Sequence, residues 1–268
     1  MIKLIASDVD GTLIQDSTPD LYREMVETIY KLKKKGILFC AASGRQYFSL
    51  RNVFRDVADE IAYIAENGAH ICYQNKNISV TPMKKEHIEG IMAMLRPYYG
   101  ECETVVSTAN GSLIESKNQE FIHLLTYGYH NHFRLVEDVL KEKEEIIKIA
   151  VYRKGSIRRL GEGNFIPPWE GKVKACMAGE EWVDFMDQSV DKGNGLKVLE
   201  KFLGICKEET MAFGDNNNDI GMMLAAGTSY AVDTAVKEVK KAADYVCPGW
   251  KDKGVYQIIQ QKIFQGID

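Results

Sequence analysis

The chain opens on an apolar run that ends in two carboxylates. Asp8, Asp10 and Gly11 follow the run Ile2–Ala6, with Ser7 in between. A strand rich in branched apolar residues is typical of the middle of an α/β sheet, where ligands bind beyond the carboxyl ends of the strands. Two acids spaced i, i+2 on extended chain point to the same side, and Gly11 lets the backbone turn sharply. A plain turn is the alternative, because Asp and Gly are common in turns.

Composition excludes several classes of protein. At 268 residues, with 45% hydrophobic and 27% charged residues, the chain has ordinary globular composition and length for one large or two modest domains. The net charge of −4 argues against nucleic acid as a partner. Six scattered cysteines, without a Cys-x-x-Cys pair, indicate reduced thiols rather than disulfides or a zinc site. No apolar run approaches ~20 residues, so we expect no membrane partner and a cytoplasmic location.

Hydrophobic periodicity divides the chain into three stretches. A helix over Leu21–Lys35, ended by Gly36, and strands over Ile37–Ala42 and Ala62–Ala65 give a β-α-β-α-β pattern that favours a parallel sheet. From about Thr81 to Asp187, helices mix with extended pieces, which suggests an α+β module with an antiparallel sheet. The predicted elements of that stretch are helices at 84–98 and 119–127 and extended segments at 102–107, 112–115, 146–152, 173–178 and 182–186.

The first pattern returns after Asp187. The predicted elements are helices at 193–203, 220–226, 234–242 and 255–264 and strands at 210–213, 230–232 and 245–246. We therefore expect one α/β domain, residues 1–81 and 188–268, with a doubly wound parallel sheet. Residues 82–187 are expected to form an inserted α+β domain.

Three further segments place polar groups at positions expected to border the same crevice. Ser43-Gly44-Arg45 follows the second strand and offers a hydroxyl and backbone N–H groups to an anion, although Ser43 is also a plausible N-cap for the next helix. Lys192 precedes a helix, where an ammonium can offset phosphate charge or be solvated. The run Gly214–Asp219 follows a strand and carries oxygen groups that suit Mg²⁺.

Taken together, the order of these motifs resembles a family. Asp-x-Asp-Gly-Thr-Leu, Ser-Gly-Arg, a lysine at a helix start and Gly-Asp-x-x-Asn-Asp look like the four motifs of haloacid dehalogenase (HAD) superfamily phosphatases. The α+β insertion, with Glu66-Asn67-Gly68-Ala69 before it, resembles the Cof-type subgroup IIB with a C2B cap. The resemblance covers nearly the whole chain and implies a doubly wound core with a mobile cap.

The resemblance also implies a mechanism and its residues. Asp8 would attack phosphorus to form an aspartyl-phosphate, and Asp10 would act as acid and then base. The implied Mg²⁺ ligands are Asp8, the backbone carbonyl of Asp10 and Asp215, with Asp219 a ligand or a support. The implied phosphate-binding residues are Ser43, Gly44, Arg45, Lys192 and Asn218.

Alternatives to a phosphatase remain open at this stage. The expected substrate is a small phosphorylated metabolite, with a sugar phosphate leading; a sugar-phosphate mutase or a non-catalytic phospho-ligand-binding protein are the other interpretations. The run Ala231–Ala235, Ala-Val-Asp-Thr-Ala, departs from the Ala-Met-Gly-Asn-Ala common in the family by gaining a carboxylate and losing a glycine. The sequence names neither the metabolite nor the oligomeric state.

Overall fold

Two compact units make up the structure. The computed structural model describes residues 1–15 and 20–266. One unit, here the core unit, consists of Met1–Ser79 and Asp191–Asp268, and the inserted unit consists of Val80–Val190. The sequence analysis predicts the corresponding domain boundaries at 81/82 and 187/188. No helix of the described ranges is long and apolar enough to cross a membrane.

The core unit alternates strands and helices on both sides of its insertion. Its strands are β1 (Leu4–Asp8), β2 (Leu38–Ala42), β3 (Ala62–Ala65), β4 (His70–Tyr73), β5 (Lys76–Val80, which runs one residue into the inserted unit), β12 (Thr210–Gly214), β13 (Thr228–Val232) and β14 (Tyr245–Cys247). Its helices are α1 (Arg23–Lys34), α2 (Tyr47–Val53), α6 (Lys192–Leu203), α7 (Ile220–Ala225), α8 (Lys237–Ala242) and α9 (Gly254–Ile259).

The sheet of the core unit is doubly wound. Its strand order is β14-β13-β12-β1-β2-β3-β4-β5, and the neighbours from β14 to β3 are parallel. From β1 the chain winds outward to β3, and after the insertion it returns at β12, beside β1, and winds the other way. The topological switch point, where ligands bind in such sheets, therefore lies between β1 and β12.

Helix α1 shows how the helices of the core unit pack into its apolar core. Met25, Ile29 and Leu32 are buried on one face of the helix, at the spacing of an amphipathic helix. They pack into the main apolar cluster of the core unit. Gly36, with a φ of +72°, then lets the chain leave the helix through the left-handed region.

An antiparallel hairpin, β4–β5, extends the sheet beyond β3 and was not predicted. Strand β4 pairs antiparallel with β3. The connecting residues Gln74 and Asn75 both adopt positive φ, 51° and 58°. A two-residue turn of this kind usually carries Gly or Asn at such positions, and Gln74 weakens that pattern. The turn is therefore hard to recognise in the sequence.

The inserted unit contains a six-stranded sheet. Its elements are α3 (Lys85–Leu95), β6 (Glu103–Thr108), β7 (Gly111–Ile114), α4 (Gln119–His123), β8 (Phe133–Leu135), β9 (Ile146–Tyr152), α5 (Arg158–Leu160), β10 (Lys174–Met177) and β11 (Trp182–Met186). The order is β10-β11-β9-β6-β7-β8, antiparallel except between β7 and β8. Strand β8 was not predicted, because its three residues, one half-buried and two exposed, carry no readable alternation.

Candidate active site

Strand register brings the first acids and the other motifs to one edge of the core sheet. Asp8 ends β1 and is paired in register with Ala42, the residue before Ser43. Ser7 is paired with Phe213 of β12, so the end of β1 also lies beside the start of the Asp215 loop. The predicted residues Asp8, Ser43 and Asp215 therefore follow neighbouring strands at the switch point.

Lys192 is the buried centre of the site. Its Nζ donates to Asp8 Oδ1 at 2.6 Å and to Asp219 Oδ1 at 2.6 Å, and its exposed fraction is 0%. It is the first residue of α6, whose N-cap Asp191 accepts hydrogen bonds from Gly193 N and Asn194 N. Helix geometry thus delivers the ammonium to the carboxylates, and the solvated alternative for Lys192 is wrong.

Asp219 is engaged at both of its oxygens. Besides the Lys192 contact at Oδ1, its Oδ2 accepts from the backbone N–H groups of Asp215 and Asn216, at 2.9 and 3.0 Å. A residue at Gly214 with a side chain would meet Asp219 at 2.6 Å, so glycine is required there. Asp219 therefore shapes the loop that presents Asp215.

Burial and charge shift the ionisation of this cluster. Burial, reinforced by the Asp219 and Asp215 charges against the opposing effect of Lys192, holds the pKa of Asp8 well above its ordinary range. Burial and the Asp219 charge raise the pKa of Asp215 to about 6. Burial would lower the pKa of Lys192, but the carboxylates of Asp219 and Asp8 outweigh it and raise that pKa. The cluster thus sets three carboxyl groups against one lysine.

The acidic cluster fits a hard divalent cation. One oxygen each from Asp8, Asp215 and Asp219 lie within 4.8 Å of one another. Asp8 Oδ2 is buried, and no donor among the described residues hydrogen-bonds it. Carboxylate oxygens are the ligands that Mg²⁺ prefers. An unsatisfied buried oxygen beside a second carboxylate is the arrangement that such an ion would satisfy.

Arg45 clamps the second acid of the first motif. Its Nε donates to Asp10 Oδ2 at 2.7 Å and its Nη2 to Asp10 Oδ1 at 2.5 Å. Both side chains are largely shielded from solvent, with exposed fractions of 13% and 27%. A bidentate pair of this kind fixes the direction of a carboxylate. The structure thus brings Arg45 to Asp10, a contact that the sequence analysis did not predict.

Ser43 is not the helix N-cap. Its Oγ accepts from Arg45 N at 3.1 Å within the turn itself, and α2 begins only at Tyr47, with no side-chain cap bond at Gln46. The hydroxyl therefore closes the turn that presents Gly44 and Arg45.

Two residues outside the predicted set join the site. Thr12 Oγ1 donates to Asp215 Oδ1 at 3.0 Å, which links the first motif to the fourth. Asn67 Oδ1 accepts from Asn218 Nδ2 at 3.0 Å. Both lie in motifs given above, Asp-Gly-Thr and Glu-Asn-Gly, and the signal for them was a place in the loop that follows a strand.

The segment that departs from the family pattern lies beside the Asp215 loop. Helix α8 was expected from Thr234 but begins at Lys237. The reason is that Val236 N donates to Asp215 O at 2.9 Å and Ala235 N to Val232 O at 2.9 Å, so these residues form a turn. The added carboxylate, Asp233, is exposed.

Comparison with known proteins places this geometry in a family. Residues 5–259 match the family model of haloacid dehalogenase-like hydrolases. The chain belongs to this family. The relative YbjI of Escherichia coli, named 5-amino-6-(5-phospho-D-ribitylamino)uracil phosphatase, is 28% identical, and the alignment covers 97% of this chain and 96% of YbjI.

Solved structures share the fold over almost the whole chain. A crystal structure of an Eubacterium rectale protein has a TM-score of 0.87 and 32% identity, covering 98% of this chain and 99% of that one. The HAD subclass IIB sugar phosphatase BT4131 has a TM-score of 0.80 and 23% identity, covering 96% and 98%. At the latter identity the likeness concerns the fold. The doubly wound core with an inserted α+β unit is thus the HAD architecture.

Proposed function

We propose that the chain is a magnesium-dependent phosphatase that hydrolyses a small phosphorylated metabolite through an aspartyl-phosphate on Asp8. The observation that carries the proposal is the buried contact of Lys192 with Asp8 at the switch point. A binding protein needs no carboxylate that is buried, partly unsatisfied and next to a cation. A nucleophile for phosphoryl transfer needs a free carboxylate oxygen beside a cation that stabilises the developing charge, which Asp8 and Lys192 provide.

The proposed reaction has two balanced steps. In the first, an Asp8 oxygen attacks phosphorus and the phosphorus–oxygen bond of the ester breaks. Asp10, which enters the step protonated at an oxygen that one Arg45 contact has released, gives its proton to the departing alcohol. In the second, Asp10 takes a proton from water, the water oxygen attacks the same phosphorus, and inorganic phosphate leaves Asp8 free. Using one group as acid and then as base returns the site to its starting state.

The remaining residues bind and orient. Lys192 neutralises charge on Asp8 and on the phosphoryl oxygens, while Asp219 holds Lys192 in place. We infer that Ser43, Gly44 and Asn218 bind phosphoryl oxygens, and that Arg45 directs Asp10. Mg²⁺, held by Asp8, the Asp10 carbonyl and Asp215 with Asp219 in support, would neutralise phosphate charge when bound.

The inserted unit is proposed to act as a cap that selects the substrate. Strand register puts Ser112, Ser107, Lys148, Met186 and Lys174 in one cross-strand row. Side chains alternate between sheet faces, and apolar residues of the neighbouring positions, such as Val106 and Ile149, fill the core on the other face.

Asp184 belongs to the next row of the same face, and its Oδ2 lies 3.6 Å from Lys148 Nζ. A patch of hydroxyls, amines and a carboxylate suits the hydroxyls of a sugar or sugar-alcohol phosphate. The substrate class named for YbjI and BT4131 is compatible with this choice. The cytoplasmic location expected from the sequence stays a prediction.

A turnover assay tests the proposal. Purified protein with p-nitrophenyl phosphate and a panel of sugar and sugar-alcohol phosphates should release inorganic phosphate in Mg²⁺. EDTA should abolish the release, and excess Mg²⁺ should restore it. Equal turnover in EDTA would reject the metal, transfer to a second sugar hydroxyl would identify a mutase, and binding of esters without turnover would identify a binding protein.

A further inference from the structure

We propose that Asn67 is a positioning residue that holds phosphate-binding groups of two distant segments, the Ser43–Arg45 turn and Asn218, at a fixed separation. The inference rests on the proposed function, because it concerns the phosphate site of that reaction. It assigns a role to the Glu66–Gly68 loop, which follows β3 and lies outside the four motifs.

The loop is held in a rarely populated backbone conformation. Glu66, Asn67 and Gly68 have φ values of 50°, 56° and 105° in succession. Asn tolerates the left-handed region, whereas a glutamate there is uncommon. Conformations of this kind persist only where the surroundings enforce them, and they cluster at functional sites. A side chain at Gly68 would meet Asp191 O, next to Lys192, at 2.4 Å, so the loop also packs closely on the start of α6.

Backbone hydrogen bonds tie the loop to the Ser43–Arg45 turn. Asn67 N donates to Ser43 O at 2.9 Å, and Glu66 N donates to Arg45 O at 3.0 Å. These bonds span the gap between β2 and β3 just beyond the strand ends. The turn that presents Gly44 is therefore fixed from the loop side.

The Asn67 side chain connects that turn to the fourth motif. Its amide lies against Gly44, where an added Cβ would meet Nδ2 at 3.1 Å and Oδ1 at 3.2 Å. Its Oδ1 accepts from Asn218 Nδ2 at 3.0 Å, across 151 positions of sequence. One short side chain thus contacts two segments that are both proposed to bind phosphoryl oxygens.

The contacts of Asn67 bear on phosphate binding more than on the catalytic step. Without the Asn67 acceptor, the Asn218 amide loses the contact that sets its rotation. The Lys192–Asp8 contact does not involve Asn67. Loss of the Asn67 side chain should therefore weaken phosphate binding while the rate of the bound complex changes little.

A double-mutant cycle tests the positioning role. Asn67→Gly keeps the left-handed backbone accessible and removes the amide, and Asn218→Ala removes the donor. The readout is the inhibition constant of inorganic phosphate, with KM and kcat for p-nitrophenyl phosphate alongside. Loss of one hydrogen bond should raise the inhibition constant about three- to tenfold in Asn67→Gly. In the Asn218→Ala background the same change should raise the constant by a smaller factor than in the wild type, because the Asn67–Asn218 bond is already lost and only the packing on Gly44 is left to remove.

Asn75→Gly is the matched control. Asn75 also has a positive φ, 58°, and its Oδ1 accepts from Arg51 at 2.7 Å, but it lies in the β4–β5 turn. Asn75→Gly should leave the inhibition constant of phosphate, KM and kcat unchanged. The positioning role is overturned if the increases in the inhibition constant caused by Asn67→Gly and Asn218→Ala multiply fully in the double variant. It is also overturned if Asn67→Gly has the wild-type inhibition constant for phosphate.

The proposed function can fail separately. Phosphate binding by the wild type can also be measured by calorimetry in Mg²⁺, which needs no turnover. Phosphate binding that shows the predicted non-additivity, in a protein that hydrolyses no ester, would overturn the phosphatase and support the role of Asn67. A wild type that binds no phosphate would overturn both.

Discussion

Arg45 grips both carboxylate oxygens of Asp10, at 2.7 and 2.5 Å, from the turn that follows the neighbouring strand. The two residues are 35 positions apart. The contact joins the proposed acid–base residue to the proposed phosphate-binding turn, so that the direction of Asp10 depends on the conformation of that turn.

Arg45→Lys should therefore impair turnover while preserving the charge. A lysine ammonium is a point charge and cannot make two parallel bonds to one carboxylate. We expect kcat/KM to fall about 10- to 100-fold, the effect of one charge-assisted hydrogen bond. Steady-state kinetics check this. The control is Arg51→Lys, since Arg51 pairs with Asp59 on the surface of the same unit; similar losses in both variants would contradict a specific role for Arg45.

Asp10→Asn should be most harmful for esters with poor leaving groups. An alkoxide needs a proton to depart, whereas p-nitrophenolate leaves as a stable anion. General acid help is worth ~10²–10⁴-fold, so formation of the phosphoenzyme should suffer by that factor for sugar alcohols and much less for aryl phosphates. Single-turnover rates across a series of leaving-group pKa values measure it. Equal losses throughout the series would remove Asp10 from the acid role.

Metal-free protein should lose stability as the pH rises through the acidic range. Because Asp215 has a native pKa of about 6 against an ordinary 3.8, the native state binds its proton more tightly than the unfolded state. The stability from this group is complete below pH 3.8 and is lost as the pH passes 6. In EDTA, the Tm of the wild type should drop on the order of a few degrees between pH 3.8 and 6, and Asp215→Asn should lack this drop.

Magnesium should reverse this loss in the wild type. At a pH above the native pKa of Asp215, the ion would neutralise the acidic cluster, so Mg²⁺ should raise the Tm of the wild type and have little effect on Asp215→Asn. Thermal scans with and without Mg²⁺ measure both effects. Parallel Tm curves for the two proteins, in EDTA and in Mg²⁺ alike, would contradict the assignment.

Changing the polar row of the inserted unit should alter substrate ranking. Lys148→Gln combined with Asp184→Asn removes both charges of a buried pair without leaving one alone. We expect kcat/KM for individual natural esters to change by ~1–3 kcal/mol, as for a lost specificity contact, and p-nitrophenyl phosphate to change much less. Lys154→Gln with Glu120→Gln, an exposed pair of the same unit, is the control. A parallel shift of all substrates would exclude this face from specificity.

The sequence was sufficient for much of the fold. Strands Ala62–Ala65, Ile146–Tyr152 and Trp182–Met186 have the predicted bounds, because long buried runs bounded by turn residues are readable locally. Strand β8 was missed because its pairing partner β7 lies on the other side of α4 in the chain. The β4–β5 hairpin was missed because Gln74 obscures its two-residue turn.

The site was readable as a set of motifs but not as a set of contacts. Parallel strands align their carboxyl ends, so positions after strands predict which residues share the crevice. Side-chain pairing across it, as in Arg45 with Asp10 or Asn218 with Asn67, depends on loop backbone that no local pattern encodes. The roles assigned to these residues stay predictions until variants are measured.

The most direct test of the account is to trap the aspartyl-phosphate. Asp10→Asn should form the phosphoenzyme from p-nitrophenyl phosphate and hydrolyse it slowly, because the base that activates water is absent. Acid quenching followed by borohydride reduction and peptide mass spectrometry should then find the modified residue at position 8 alone, and Asp8→Asn in the same background should give none. Two results would contradict Asp8 as the nucleophile. One is turnover by the wild type with the trapped phosphoryl group on another residue. The other is turnover by the wild type with no trapped group in Asp10→Asn at any time while it cleaves the aryl phosphate.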